Sequence, residues 1–345
     1  MFLKELSEAA GVSGTEHEVR NLIREQVRPY VEELRTDSLG NLIAARRGTG
    51  RGKHGRLKVM VAAHMDEVGL MITLAEKNGL LRFEPVGGLD PRVLNSKVVE
   101  VGPHKIPGVL GSRPNHLQKP EERKRALSIQ DMYIDIGAKS KEEAERLVKV
   151  GDVAGFATRY EEIGNGVVKG KAFDDRAGCA LLMELLKKQY SFTLYGVFTV
   201  QEETGLRGAG AAAYAVDPDI ALVLEGTTAS DVPETEEHMQ STTMGKGPAL
   251  TIMDGAGVMD RRLVERLLHL AEKDGLPVQL RRSAFGGTDA GKIRLAREGA
   301  PAAVMALPCR YIHSPVSFMN LGDWEAALAL AGRFLEDMEK DGVPA

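Results

Sequence analysis

Four short runs carry apolar side chains at nearly every position: LKVMVAAH (57–64), FTLYGVFTVQ (192–201), IALVL (220–224) and AAVMAL (302–307). A strand with one wet face alternates polar and apolar residues. Unbroken runs of this length therefore predict strands buried on both faces. Between them the spacing predicts helices over 176–189, 205–216, 258–273 and 321–338. A further helix is predicted over 16–31, where Val19, Ile23 and Val27 share one stripe. Buried strands alternating with helices point to a largely parallel α/β sheet covered on both sides. Ligands of such sheets gather beyond the carboxyl ends of the strands. Each run has a polar residue close behind it.

Residues 67–163 break this rhythm. Their short segments are interrupted by Gly and Pro, as in LLRFEPVGGLDPRVLNSKVVEVG, with one helical piece, KSKEEAERLV. They predict a small β-rich domain inserted into an α/β domain made from 1–66 and 164–345. The chain has 345 residues, enough for one such domain with a smaller second one. Its formal charge of −4 argues against nucleic acid as a partner, because a phosphate backbone calls for a basic face. No run approaches a membrane span of about 20 apolar residues. The beginning, MFLKELSEAAGVSGTE, has no apolar signal core and reads as a short amphipathic helix. Cys179 and Cys309 form no CxxC and sit in apolar company, as buried thiols of a cytoplasmic protein would. The basic, Gly-rich stretch RRGTGRGKHGR (46–56) lacks the ending of a phosphate-binding loop and reads as an exposed turn.

The polar residues behind the apolar runs are the candidates for chemistry. His64 ends one run, and Asp66 follows two residues later. A metal-ligating imidazole needs its second nitrogen anchored, commonly by a carboxylate, although a hydrogen-bonded turn histidine has the same pattern. Asp174 and Asp175 precede a helix. One aspartate suffices as a cap, which leaves the other free to act. Glu202 and Glu203 stand side by side at a strand tip, where successive side chains diverge. One can hold a cation while the other takes a proton from water; a doubled charge at a helix start is the plainer reading. Glu225 comes just past IALVL, and His313 follows the run ending at Leu307. Imidazoles with carboxylates suit zinc or cobalt, whereas an oxygen-only shell suits magnesium or calcium.

Taken together, AAHMDEVG, GKAFDDRAGCA, QEETGLRGA, LEGTTASDVP, FGGTDAG and RYIHSPVS resemble the tetrahedral aminopeptidases, dinuclear metallopeptidases that include glutamyl and deblocking enzymes. The inserted stretch beginning GVLGSRPNHLQKPEERKRALSIQDMYIDIG is similar too, and the likeness spans nearly the whole chain. It implies a zinc-peptidase-like three-layer α/β/α domain with a mostly parallel mixed sheet, plus a small inserted β-barrel-like domain that helps build dimers. The resemblance makes His64 a ligand of one cation with Asp66 supporting it, and Asp174 a bridge between two. Glu225 would complete the first cation, Glu203 and His313 the second, and Glu202 would be the general base. Many members have aspartate where this chain has Glu225. Asp175 would fix the turn carrying Asp174, and Gly287, Thr288 and Asp289 would lie near the substrate. The implied partners are short peptides and eleven further copies of the chain; the implied cofactors are two divalent ions, zinc or cobalt.

The implied reaction is removal of N-terminal residues from peptides. A metal-dependent carboxypeptidase or an acyl-amino-acid deacylase would share such ligands. A glycosidase, a label some relatives carry, has no need of His64 and His313, and one Trp offers little to stack on sugars. A purely structural metal site tends to be closed, which leaves an unused carboxylate unexplained in an assembly protein.

Overall fold

The computed structural model describes residues 2–121 and 124–343. Met1, Pro344 and Ala345, at the ends of the expected α/β segments, and Glu122 and Arg123, in the expected insertion, lie outside the described residues. Among those described, the main sheet has eleven strands. Its centre is the four apolar runs, adjacent in the order Thr193–Thr199, Lys58–His64, Ile220–Thr228 and Ala302–Arg310, all parallel. Antiparallel strands flank them. Leu42–Arg46 and Glu33–Thr36 lie on one side; Ser317–Asn320, Val167–Gly170 and Glu161–Glu162 lie on the other. Every residue from Val59 to His64 and from Ile220 to Thr227 is buried, as strands covered on both faces require. Phe173–Leu185 and Leu321–Asp341 pack together and on the central strands. Arg207–Val216 and Ala290–Ile293 form a second packed pair against the sheet. The result is the expected three-layer α/β/α arrangement.

Helix starts shift from the periodicity for local reasons. The expected 258–273 helix begins at Arg261 because the Asp260 side chain accepts from the Arg262 amide and caps it. The expected 205–216 helix begins at Arg207, since the Gly205 and Leu206 amides turn back to the Glu202 carbonyl. One strand runs on beyond its apolar letters. Gly226, Thr227 and Thr228 pair in register with Leu307, Pro308 and Cys309, so the strand begun by IALVL continues to Thr228. Glu225 is therefore inside a strand, not just past its end.

The chain leaves the sheet at His64 and enters a closed six-stranded barrel, in the order Gly69–Ala75, Leu81–Val86, Met132–Asp135, Ile106–Ser112, Val98–Val101 and Val153–Phe156. Leu70, Ile72, Phe83, Val99, Leu110 and Phe156 fill it as a cluster separate from the main core. KSKEEAERLV supplies the helix Lys141–Leu147, capped by Ser140. The chain then rejoins the sheet at its edge and runs through Val167–Gly170 to Asp174. Cys179 and Cys309 are buried and unbridged. Among the described residues no helix is long and apolar enough to cross a membrane.

Candidate metal centre

The parallel strands share a direction, so their carboxyl ends deliver side chains to one edge of the sheet. His64 is the last residue of its strand. Its Nε2 lies 3.2 Å from Asp174 Oδ1 and 3.0 Å from Glu225 Oε1. His313, three residues past Arg310 and held at φ +55°, places its Nε2 3.3 Å from Asp174 Oδ2 and 3.2 Å from Glu203 Oε2. The two oxygens of Asp174 thus face the two histidines, one each. The longer side chain of Glu225 still reaches His64 from within its strand, and its Oε2 is buried without a hydrogen-bond partner.

Asp175 turns the other way. Its oxygens accept from the His64 and Gly178 amides, at 3.1 and 3.0 Å, tying the start of the Phe173–Leu185 helix to the strand end. The Asp174–Asp175 peptide is cis. Asp66 does more than pair with the imidazole. The His64 Nδ1 lies 3.1 Å from the Asp66 main-chain oxygen and 3.5 Å from its carboxylate. The carboxylate itself accepts from the Glu202 amide at 3.0 Å, the Glu203 amide at 3.1 Å and the Ser13 hydroxyl at 2.5 Å. Asp66 therefore holds the backbone of the two glutamates as well as touching the imidazole.

The electrostatics are those of a site built for cations. Burial, then the neighbouring Asp174 and Asp66 carboxylates, push Glu203 up to about 7 against the pull of His313. Burial, then Asp174 and Asp289, push Glu225 up to about 8 despite His64. Burial and the Glu225 carboxylate also raise Glu202 well above the carboxylate range. Burial works to lower His313, but Asp174 and Glu203 outweigh it and lift the ring to about 9. His64 is raised in the same way against its own burial, chiefly by Glu225 and Asp174. Asp174, between two imidazoles, is held below its ordinary value although burial opposes this. Buried carboxylates whose proton affinity is raised thus crowd around Asp174, which stays ionised between the two imidazoles, and divalent cations would displace the protons such a cluster holds. Among the described residues, two ligand groups meet the spacing for a metal ion, His64–Asp174–Glu203 and His64–Asp175–Glu225, with the donor atoms of each group within 4.8 Å of one another. The buried, unpartnered Glu225 Oε2 and the mixed imidazole–carboxylate donors fit divalent metal ions.

The centre opens onto a cleft of about 810 Å³ lined by Glu202, Glu225, Gly287, Thr288 and Phe285 among others. Thr288 donates to Asp254 at 2.9 Å, which fixes this wall. Asp289 is buried behind it, accepting from Thr199 at 2.5 Å while its Oδ1 has no partner.

A model of the M42 glutamyl aminopeptidases matches residues 40–330. The chain belongs to this family. It is 38% identical to an aminopeptidase from the archaeon Desulfurococcus kamchatkensis, with a TM-score of 0.92 over 97% of this chain and 94% of that one. It is 33% identical to the Pyrococcus horikoshii TET1 peptidase, with a TM-score of 0.84 over 96% and 98% of the two chains. It is 32% identical to the lysyl aminopeptidase of Pyrococcus furiosus over 98% of this chain and 97% of the relative. Family and ligand cluster together make the protein a metal-dependent aminopeptidase.

Sequence reasoning missed two features here. Lys171 and Arg176 bracket the Asp174–Asp175 pair and are both buried. The Lys171 ammonium lies 2.7 Å from each Glu67 oxygen, and Arg176 donates to the Met65 carbonyl at 2.7 Å and approaches Glu67 at 3.4 Å. This buried network locks the His64–Glu67 segment to the start of the helix. Its signal was two basic residues in the otherwise apolar-flanked GKAFDDRAG. The second is Arg281, the only lysine or arginine lining the cleft among the described residues. Nothing in RRSAFGGTD distinguishes it from Arg282, which points instead to the Glu237 carbonyl.

Proposed function

We propose that His64, Asp174 and Glu225 hold one divalent cation, that Asp174, Glu203 and His313 hold a second, and that Asp174 bridges them. The observation that carries this reading is Asp174, with one oxygen 3.2 Å from His64 and the other 3.3 Å from His313. Zinc or cobalt suits these donors. Two such cations, when bound, polarise a scissile carbonyl and acidify water. Glu202 lines the cleft beside these ligands and, among the described residues, forms no ion pair with His64 or His313. It takes the proton from the attacking water and hands it to the departing amine. Asp66 supports the site through the Glu202 and Glu203 amides, and Asp175 braces the His64 strand end. Gly287, Thr288 and Asp289 form and back the wall against which the peptide lies.

The substrates are peptides with a free N-terminus. The family description names glutamyl substrates, while the Pyrococcus furiosus relative is a lysyl enzyme. Arg281 favours an acidic first residue here, because its cationic side chain lines the cleft, held by a hydrogen bond from its guanidinium to the Phe285 carbonyl.

The Pyrococcus horikoshii relative can assemble into a tetrahedron or a large octahedral shell. A dodecamer built from dimers is the corresponding form for this chain, with 67–163 as the dimerising domain and 1–66 plus 164–345 as the catalytic one. Exposed, register-paired Val98 and Val109 on the barrel's outer surface support that role. The unbridged thiols of Cys179 and Cys309 suit a cytoplasmic location.

The test is Glu202→Gln. It keeps both cations and loses turnover by a factor on the order of 10²–10⁴. Normal turnover removes Glu202 from the role of base, and lost cations move it into the ligand set.

A further inference from the structure

The strand Thr193–Thr199 ends just before the two glutamates, and the amides beyond it leave the sheet ladder. Buried amides without ladder partners need other acceptors. Each of the next four is taken by a side-chain oxygen. The Val200 amide donates to Asn41 Oδ1 at 3.1 Å, and the Gln201 amide to Glu16 Oε1 at 3.2 Å. The Glu202 and Glu203 amides donate to the two oxygens of Asp66. Gln201 sits at φ +55°, so the chain turns sharply here and successive N–H groups converge on these acceptors.

Glu16 is the contribution of the N-terminal segment to this cradle. It is 3% exposed, at the end of a turn that also supplies Ser13 to Asp66. Its Oε1 accepts a second bond from the Gly14 amide at 2.6 Å, which locks the carboxyl group in place. The turn is seated by the Ser13 amide on the Glu67 carbonyl at 3.2 Å and by the Glu67 amide on the Gly11 carbonyl at 3.0 Å. Asn41 is fixed in turn by Asp37 and by the Gly208 carbonyl. Three separate segments therefore meet on four consecutive amides, and the side chain of Glu202 leaves from the middle of them.

We infer that Glu16 is a positioning residue for the Glu202 carboxylate. It touches neither a proposed ligand side chain nor the cleft. It sets the direction from which Glu202 reaches the reacting water by fixing the amide one residue before it. An error of about 1 Å in such a group costs about 10²-fold in rate. The inference rests on the proposed role of Glu202 as base.

The experiment compares Glu16→Ala and Glu16→Gln with the unaltered protein. The readouts are kcat and KM on an aminoacyl p-nitroanilide, cations per subunit, and hydrogen exchange at Gln201–Glu203. Both bonds to Glu16 use Oε1, so glutamine retains them and alanine removes them. Glu16→Ala is expected to lower kcat by about tenfold or more, leave KM within about twofold, keep both cations and speed exchange of the Gln201 amide. Glu16→Gln is expected to restore kcat and slow exchange. Unchanged kcat in Glu16→Ala overturns the inference. So does a loss that excess cation repairs, or a glutamine variant as impaired as alanine. If the unaltered protein hydrolyses no aminoacyl substrate, the proposed function fails instead, and Gln201 exchange alone decides whether Glu16 holds the turn.

Discussion

Asp66→Asn probes the least obvious part of the site with a near-isosteric change. Asp66 Oδ1 accepts from the Glu202 amide, while Oδ2 accepts from the Glu203 amide and the Ser13 hydroxyl. Asparagine keeps one oxygen and puts an NH2 where the other was. The Ser13 hydroxyl can rotate to accept from it. A backbone N–H cannot, so in either amide orientation one of the two glutamate amides faces a donor. A buried unsatisfied donor costs about 1–3 kcal/mol, and the surviving bond loses its ionic character, worth about 1 kcal/mol more. Removing one negative charge from a crowded anionic cluster offsets part of this. The expected net loss of about 1–3 kcal/mol is relieved by moving the Glu202–Glu203 turn. We expect kcat to fall by about 10–100-fold, since about 1.4 kcal/mol corresponds to tenfold. The assay is steady-state hydrolysis of an aminoacyl p-nitroanilide with saturating divalent ion, alongside elemental analysis and calorimetric melting. An asparagine variant within twofold of the unaltered kcat at equal cation content would refute the idea that this carboxylate holds the catalytic turn.

Two other perturbations read different parts of the site. Arg281→Glu should lower kcat/KM on glutamyl substrates, raise it on lysyl ones and leave leucyl hydrolysis nearly unchanged; a uniform change across an aminoacyl panel would remove Arg281 from substrate selection. Gly226→Ala places a Cβ 2.6 Å from Asp174 Cβ and 2.7 Å from its Oδ1, closer than real contacts allow. It should weaken cation affinity by roughly 10–100-fold, as displacement of supporting groups does, and titration calorimetry on the metal-free protein would detect it.

The central strands were legible because burial on both faces leaves a sequence mark that no solvent-facing strand shares. His64, Glu202, Glu203 and His313 were legible for the same reason, since polar residues stand out behind apolar runs. The end of the Glu225 strand was not, because Gly226, Thr227 and Thr228 read as a turn until the neighbouring strand pairs with them. The barrel strands were recognisable as β-rich segments, but their closure depends on long-range pairings that no local pattern encodes. The acceptors around the Val200–Glu203 turn were hidden in that role for a related reason, although Asp66 stood out as a companion of His64. Glu16, Asn41 and Asp66 lie far from Gln201 in the chain, and an isolated acid in a polar N-terminal turn looks solvated. Arg281 shows the converse limit: one arginine among many acquires meaning only when the cleft excludes the rest.

The most direct test is to strip the protein of metal and titrate zinc or cobalt back while following peptide hydrolysis. Leu-Gly-Gly and Glu-Gly-Gly should be cleaved from their free N-termini, and their N-acetylated forms should not. We expect activity to be absent without metal and to reach its maximum at two cations per subunit, with His64 and His313 variants each binding fewer. Full peptide hydrolysis by the metal-free protein, or a maximum at one cation with no second binding event, would contradict a two-cation aminopeptidase centre bridged by Asp174.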